Sequence, residues 1–313
     1  MRLSAFKARW LWALTMLLGS QAAAAAPPVA VTFPGYETVR NIDDYATAEA
    51  YRAAVADPAF VMERVTYPSD GLEVYAYVYR PVAPTKRMPV IIFNRGSYTW
   101  PSFSAELVTM AHRLGQRGYL VIAPMYRGSG GAQGRDEMGG DDLDDLFNLL
   151  PVVRSLTYAD PDQLYLYGES RGGMMVYQAL RDGFPARAAA VVGGFTDLET
   201  MLQEPRWAEA GASIWPELAT DRAKIVDRRS AIHWAEKINI PVLILHGARD
   251  RSVAPSHALD LAQRLSDLGK QFELHVVEGE GHVLSSRTED RDKWVVDWFE
   301  RHAEAPAKVA PQP

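Results

Sequence analysis

The sequence predicts an α/β fold: a doubly wound, mostly parallel sheet opened by an antiparallel hairpin. Three observations predict it. Short, nearly continuous apolar runs recur along the chain, as they do in strands buried on both faces. Segments with helical spacing of apolar residues separate most of these runs, and strand alternating with helix implies a parallel sheet covered on both sides. Ahead of them stand two stretches of period-two alternation joined by Pro68-Ser69-Asp70-Gly71, a hairpin signal. With 313 residues and 48% apolar content, the chain has ample material for one such core.

The elements follow in order. Residues 1–26 read as a secretory signal peptide. Arg2, Lys7 and Arg9 precede an apolar run from Trp10 to Leu18, and Ser20 with Ala22 to Ala26 supplies small residues for cleavage. The run is shorter than the ~20 residues of a bilayer-spanning helix, so export is expected rather than anchoring. Loss of these three cations takes the net charge from −6 to −9, an acidic periplasmic or secreted protein with no membrane contact after cleavage. Residues 27–60 form an N-terminal extension with a short helix expected from Tyr45 to Val55.

The hairpin is expected at Val61–Tyr67 and Leu72–Tyr79. Buried strands are expected at Val90–Phe93, Leu120–Ala123, Leu164–Tyr167, Ala188–Val192, Val242–Leu245 and Leu274–Val277. Helices are expected at Ala105–Gln116, Asp142–Ser155, Gly172–Arg181, Ser256–Leu268 and Glu289–His302. Residues 61–302 are thus read as one domain. Within it, residues 195–237 carry Trp207 and Trp215 but no strand run, so a helical insertion after the sixth strand is expected over the C-terminal edge of the sheet. The tail 303–313 is expected to be disordered.

Composition narrows the chemistry. The chain has no cysteine, which removes disulfides, thiolate metal sites and cysteine nucleophiles. A net charge of −6 gives no basic footprint for nucleic acid. The run Asp141, Asp142, Asp144 and Asp145 is read as a solvated helix start rather than a metal site. No metal or cofactor is implied.

Gly168-Glu169-Ser170-Arg171-Gly172-Gly173 follows a strand run directly and opens a helix. The Gly-x-Ser-x-Gly pattern needs small residues around the serine because the strand-to-helix turn is too sharp for side chains. It holds the hydroxyl at a helix N-terminus, where a developing anion is favoured. A serine nucleophile requires a base and an orienter for that base, and in this fold they follow in the order Ser, Asp or Glu, His. Asp250 lies just past the strand run Val242–Leu245, and His282 just past Leu274–Val277, so both order and placement are met. Of the other histidines, His112, His257 and His302 fall in helices, His275 in a strand and His233 in the insertion. His246 is read as packing or hydrogen bonding at a strand end.

These residues resemble the catalytic domain of the prolyl oligopeptidase family within the α/β hydrolases. The matching motifs are Gly168-x-Ser170-x-Gly172-Gly173, His246-Gly247-x-x-Asp250-x-x-Val253 and Gly281-His282. Ser69-Asp70-Gly71, Tyr126-Arg127-Gly128-Ser129-Gly130 and Ile238-x-x-Pro241 support them. The resemblance implies a serine hydrolase of peptide, amide or ester bonds acting through Ser170, Asp250 and His282. Two departures stand out. Larger members carry a β-propeller, for which residues 27–60 leave no room. The segment Phe93-Asn94-Arg95-Gly96-Ser97 also lacks the Tyr or His-Gly-Gly that helps many relatives bind an oxyanion. A backbone N–H of Arg95 or Gly96, paired with that of Arg171, is the expected substitute, with the Tyr98 hydroxyl as a weaker option.

Substrate choice is expected to lie in the insertion, in Ser97 to Phe103 and in the N-terminal arm, with Tyr98, Trp100 and Phe103 as possible pocket walls. Glu169 and Arg171 are read as ion-paired at the helix start. The expected partner is a small molecule or short peptide. A peptidase-like enzyme is the first reading, a carboxylesterase the alternative, and an inactive binding protein the third. The oligomeric state is left open.

Overall fold

The computed structural model describes residues 25–39, 46–97 and 104–304. The expected export signal lies outside the described residues up to position 24, and the expected tail from position 305 on. Ala303 is placed, its carbonyl accepting a hydrogen bond from Arg187 at 2.8 Å.

Among the described residues nine strands form one sheet. The extension contributes a strand absent from the sequence reading, β1 (Val29–Ala30), and the helix α1 (Ala48–Ala56), capped by the Thr47 hydroxyl. The hairpin is β2 (Phe60–Ser69) and β3 (Leu72–Pro81). Asp70 and Gly71 both have positive φ, 50° and 81°, which the tight Asp-Gly turn requires. The parallel part begins with β4 (Met88–Asn94), α2 (Ala105–Gln116) and β5 (Leu120–Pro124). The helix expected over 142–155 is broken into α3 (Asp144–Phe147) and α4 (Leu150–Ser155). Pro151 explains the break, since its ring removes a donor and clashes with the preceding turn. Next come β6 (Ala159–Glu169), α5 (Arg171–Arg181) and β7 (Ala188–Val192).

Between β7 and the next strand the chain forms α6 (Leu198–Met201), α7 (Pro205–Ile214) and α8 (Arg222–Arg228). The fold closes with β8 (Val242–Gly247), α9 (Ser256–Asp267), β9 (Phe272–Val277) and α10 (Thr288–Arg301). The strand order is β1-β2-β3-β5-β4-β6-β7-β8-β9, with β1 to β3 antiparallel and β5 to β9 parallel. Because β9 is an edge strand, only Val277 in it is buried, against the expectation of burial on both faces.

Strand residues alternate between two cores. Val90 and Ile92 join α4, α5 and α9 on one face, whereas Ile91 and Phe93 join α1, α2 and α10 on the other. The chain leaves β4 toward β5 and then returns to place β6 on its other side. This reversal opens a crevice at the carboxyl ends of β4 and β6, where such sheets bind their ligands.

His257 in α9 ties the first of these cores to the segment after β7, its Nδ1 accepting the Thr196 N–H at 3.3 Å. Burial pushes its pKa from the ordinary 6.5 down to about 4. Between those pH values the unfolded chain takes up a proton that the folded chain refuses. The contribution to stability is therefore full above pH 6.5 and lost as the pH falls toward 4. The thermal midpoint of His257→Gln should fall less steeply than that of the wild type across this window. Parallel slopes in thermal unfolding would count against it.

Candidate active site

β6 passes into α5 through Ser170, whose backbone has φ 52° and ψ −119°, an unfavourable region for a side chain. The surrounding glycines make the turn possible. A Cβ on Gly172 would lie 1.8 Å from the Asn94 carbonyl oxygen, and one on Gly168 would lie 2.4 Å from the Gly172 oxygen. A Cβ on Gly173 would meet Val191 at 2.5 Å. α5 therefore starts closer to the strands than any other residue allows. The Ser170 N–H donates to the Val192 carbonyl at 2.9 Å, which fixes the turn to β7.

The loops after β8 and β9 bring two more side chains to this point. His282 Nε2 lies 2.9 Å from Ser170 Oγ, and its Nδ1 lies 2.7 Å from Asp250 Oδ2. Asp250 Oδ1 accepts the Ser252 and Val253 N–H groups at 2.7 and 2.9 Å. Burial alone would raise the Asp250 pKa, but His282 and these two amides outweigh it and hold the carboxyl below its ordinary value. Gly193, at φ 58°, passes beneath the pair, where a Cβ would lie 3.3 Å from His282 Nδ1. His246 donates from Nε2 to the Val253 carbonyl at 2.9 Å, so it braces the Asp250 loop. Burial lowers its pKa and favours the neutral ring.

Buried ion pairs hold both flanks of the serine. Arg171 donates to Asp136 through both terminal nitrogens at 2.7 Å, to Asp142 at 2.6 Å and to the Ser97 carbonyl at 3.2 Å. Arg95 donates to the Gly96 and Ser97 carbonyls at 3.1 and 3.2 Å, and to Ser129 at 2.6 Å. Burial pushes its pKa down to about 10. The two guanidiniums thus grip the turn after β4, where Ser97 has φ 62°. On the other flank, Arg291 donates to Glu169 at 2.9 Å and to the Val283 carbonyl, beside His282, at 3.1 Å.

Glu169 and Arg171 are each ion-paired, with different partners. Two of the four aspartates differ from expectation: Asp142 and Asp145 are buried, paired with Arg171 and Arg127 rather than solvated. A buried carboxylate needs such a partner. Among the described residues no group of three or more His, Asp or Glu side chains is placed to hold a metal.

A cavity of about 250 Å³ opens beside Ser170 and His282, walled in part by Phe93, Leu107, Met125 and Trp207. Ser97, Arg95 and Gly96 also line it, and Gly96 lies against Ser170. Trp207 comes from α7, within the expected insertion. The described residues of the N-terminal arm do not line it. Tyr98, Trp100 and Phe103 lie outside the described residues. Asp136, Gly193, Glu106 and Arg291 are site residues that the sequence reading missed. Arg291 had a signal: it shares the apolar face of the last helix with Val295, Trp298 and Phe299. Asp136 lies in a glycine-rich loop with no period to read.

These contacts set a graded expectation for the turn. Gly172→Ala forces a Cβ into rigid backbone and should cost at least ~3 kcal/mol, the upper end for overpacking. Gly96→Ala meets its nearest atoms at 3.4 Å and should cost under ~1 kcal/mol. Denaturant unfolding checks both, and equal costs would contradict the close approach of α5 to β4.

The sequence matches the prolyl oligopeptidase family over residues 101–305. It is 26% identical over 215 residues to the uncharacterized peptidase YtmA of Bacillus subtilis, covering 67% of this chain and 81% of that protein. It is 24% identical over 251 residues to a putative carboxymethylenebutenolidase of Yersinia pestis, covering 76% and 87%. The fold superposes on a puromycin-hydrolyzing peptidase of Mycobacterium tuberculosis with a TM-score of 0.71 at 22% identity, covering 82% of this chain but 42% of that one. The chain thus spans less than half the length of that structure. The chain belongs to the prolyl oligopeptidase family, with the α/β-hydrolase fold, and is a serine hydrolase.

Proposed function

We propose that this protein is an exported, peptidase-like serine hydrolase that cleaves amide bonds of small molecules or short peptides by acyl transfer through Ser170. The observation that carries the reading is the hydrogen-bond chain from Ser170 through His282 to Asp250, which begins at a strained turn and opens on a cavity. Asp250 accepts a hydrogen bond from the Nδ1–H of His282, which leaves Nε2 unprotonated to take the Ser170 proton. The Oγ then attacks the substrate carbonyl carbon. The N–H of Arg171, with that of Arg95 or Gly96, stabilises the resulting oxyanion. His282 returns the proton to the leaving amine, which departs as the acyl–Ser170 ester forms. Water, deprotonated by His282, attacks that ester, and the acid leaves as Ser170 regains its proton.

A carboxylesterase is the second reading, favoured by the similarity to a putative carboxymethylenebutenolidase over most of that protein's length. The chemistry differs only in the leaving group, an alcohol in place of an amine. Export is supported by the basic, apolar and small-residue order of residues 1–26.

A fluorophosphonate probe should label the wild type but not Ser170→Ala, and Ser170→Ala should lose about ten-thousand-fold or more in turnover. Absence of Ser170-dependent labelling defeats the hydrolase reading. Aminoacyl nitroanilides against short-chain nitrophenyl esters separate the two enzyme classes, since an esterase leaves the anilides intact. For export, N-terminal sequencing of the periplasmic protein should begin between Ala23 and Pro27. Retention of Met1 on cytoplasmic protein contradicts it.

A further inference from the structure

The cavity lining carries a charge imbalance that catalysis does not use. Glu106, in the first turn of α2, and Glu169 both line the cavity. Behind them Arg291 lies 2.9 Å from Glu169, 3.0 Å from Asp292 and 3.5 Å from Glu106, and Arg113 lies 2.6 Å from Asp292. Three carboxylates thus share two guanidiniums in a buried cluster. Glu169 Oε1 is engaged by Arg291 and by the Tyr167 hydroxyl at 2.8 Å. Glu106 Oε1 is fully enclosed and accepts no hydrogen bond among the described residues, and its side chain is only 11% exposed.

A buried carboxylate is costly without a full cationic partner or a proton, and Arg291, 3.5 Å from Glu106 Oε1, is already shared with Glu169 and Asp292. Burial, and next the charge of Glu169, raise the Glu106 pKa, so its ionised form is the costly one and a further cation beside it would offset that cost. The other cations lining the cavity do not serve this cluster. Arg95 is bound to Asp136, Ser129 and backbone carbonyls, and Arg206 donates to the Arg251 and Ser252 carbonyls. The same cavity is lined by Phe93, Leu107, Ala123 and Met125, which suit a methylene stem.

We infer that Glu106, backed by Glu169, is a recognition site for a cationic substrate group, a primary ammonium or guanidinium at the end of an apolar stem. The inference rests on the proposed serine hydrolase and takes this cavity, which Ser170 lines, to receive the acyl group. It makes the substrates basic: acyl groups such as a lysyl or arginyl residue, or an ω-amino acid. A site built around a buried polar group discriminates strongly against a ligand that lacks the matching group.

The test compares Nα-acetyl-lysine with Nα-acetyl-norleucine, whose side chains differ at their ends by the ammonium. As p-nitrophenyl esters, the lysine compound should be preferred at least tenfold in kcat/KM. Glu106→Gln should reduce that preference at least tenfold, chiefly through KM, and Glu106→Asp should restore part of it. The same pair as methylamides, titrated calorimetrically into Ser170→Ala, reads the subsite without turnover and should show the same order. Equal treatment of the two compounds, or a preference that survives Glu106→Gln, overturns the proposal. Fluorophosphonate labelling of the wild type separates the two failures. Labelling without cation preference rejects the subsite and leaves the hydrolase, whereas cation preference in binding without labelling rejects the hydrolase and leaves the subsite.

Discussion

The turn at Ser170 is the constraint on which the rest of the site depends. Its φ of 52° and ψ of −119° are unfavourable for a serine, and such a conformation persists only where the surroundings over-determine it. Glycines allow it by letting α5 approach β4 and β7, but they do not enforce it. Enforcement comes from the buried side chains on either side. Arg171 ties the first turn of α5 to Asp136, Asp142 and the Ser97 carbonyl, and Arg291 ties Glu169 to the Val283 carbonyl. Removing one partner from such a buried pair typically costs 3–5 kcal/mol, so these contacts resist local relaxation.

The same contacts connect the turn to the groups it must face. Arg171 and Arg95 both hold carbonyls of the segment after β4, which orients that segment beside the serine. Arg291 reaches the residue after His282, where Val283 and Leu284 both have positive φ. Asp250 is fixed independently, by its own loop amides and by His246 bracing Val253. The three side chains thus come from three loops at one end of the parallel strands, each anchored by buried polar contacts. Preorganisation of this kind is what acyl transfer requires, since it leaves little rearrangement for the reacting state.

Much of this was legible in the sequence because it rests on short-range rules. Apolar runs marked the parallel strands, the Asp-Gly pair marked the hairpin turn, and the spacing around Ser170 marked a turn that only glycine permits. Asp250 and His282 were legible because the fold places them just past strands. What escaped was set by long-range charge pairing. Nothing local links Asp136 to Arg171, or Glu106 to Arg291, and the aspartates at 142 and 145 look solvated until their arginines arrive from elsewhere. The edge position of β9 escaped for a similar reason, since an apolar run records burial tendency and not what lies beyond the strand. Pro151 did carry a readable break that the aspartate-rich helical pattern around it obscured.

The account turns on Ser170 carrying the acyl group. Acid-quenching the wild type during turnover of a p-nitrophenyl ester, followed by peptide mass mapping, measures this directly. The account predicts the acyl mass on the peptide containing Ser170. Turnover with no acylated peptide, or with the acyl group on another residue, would contradict it.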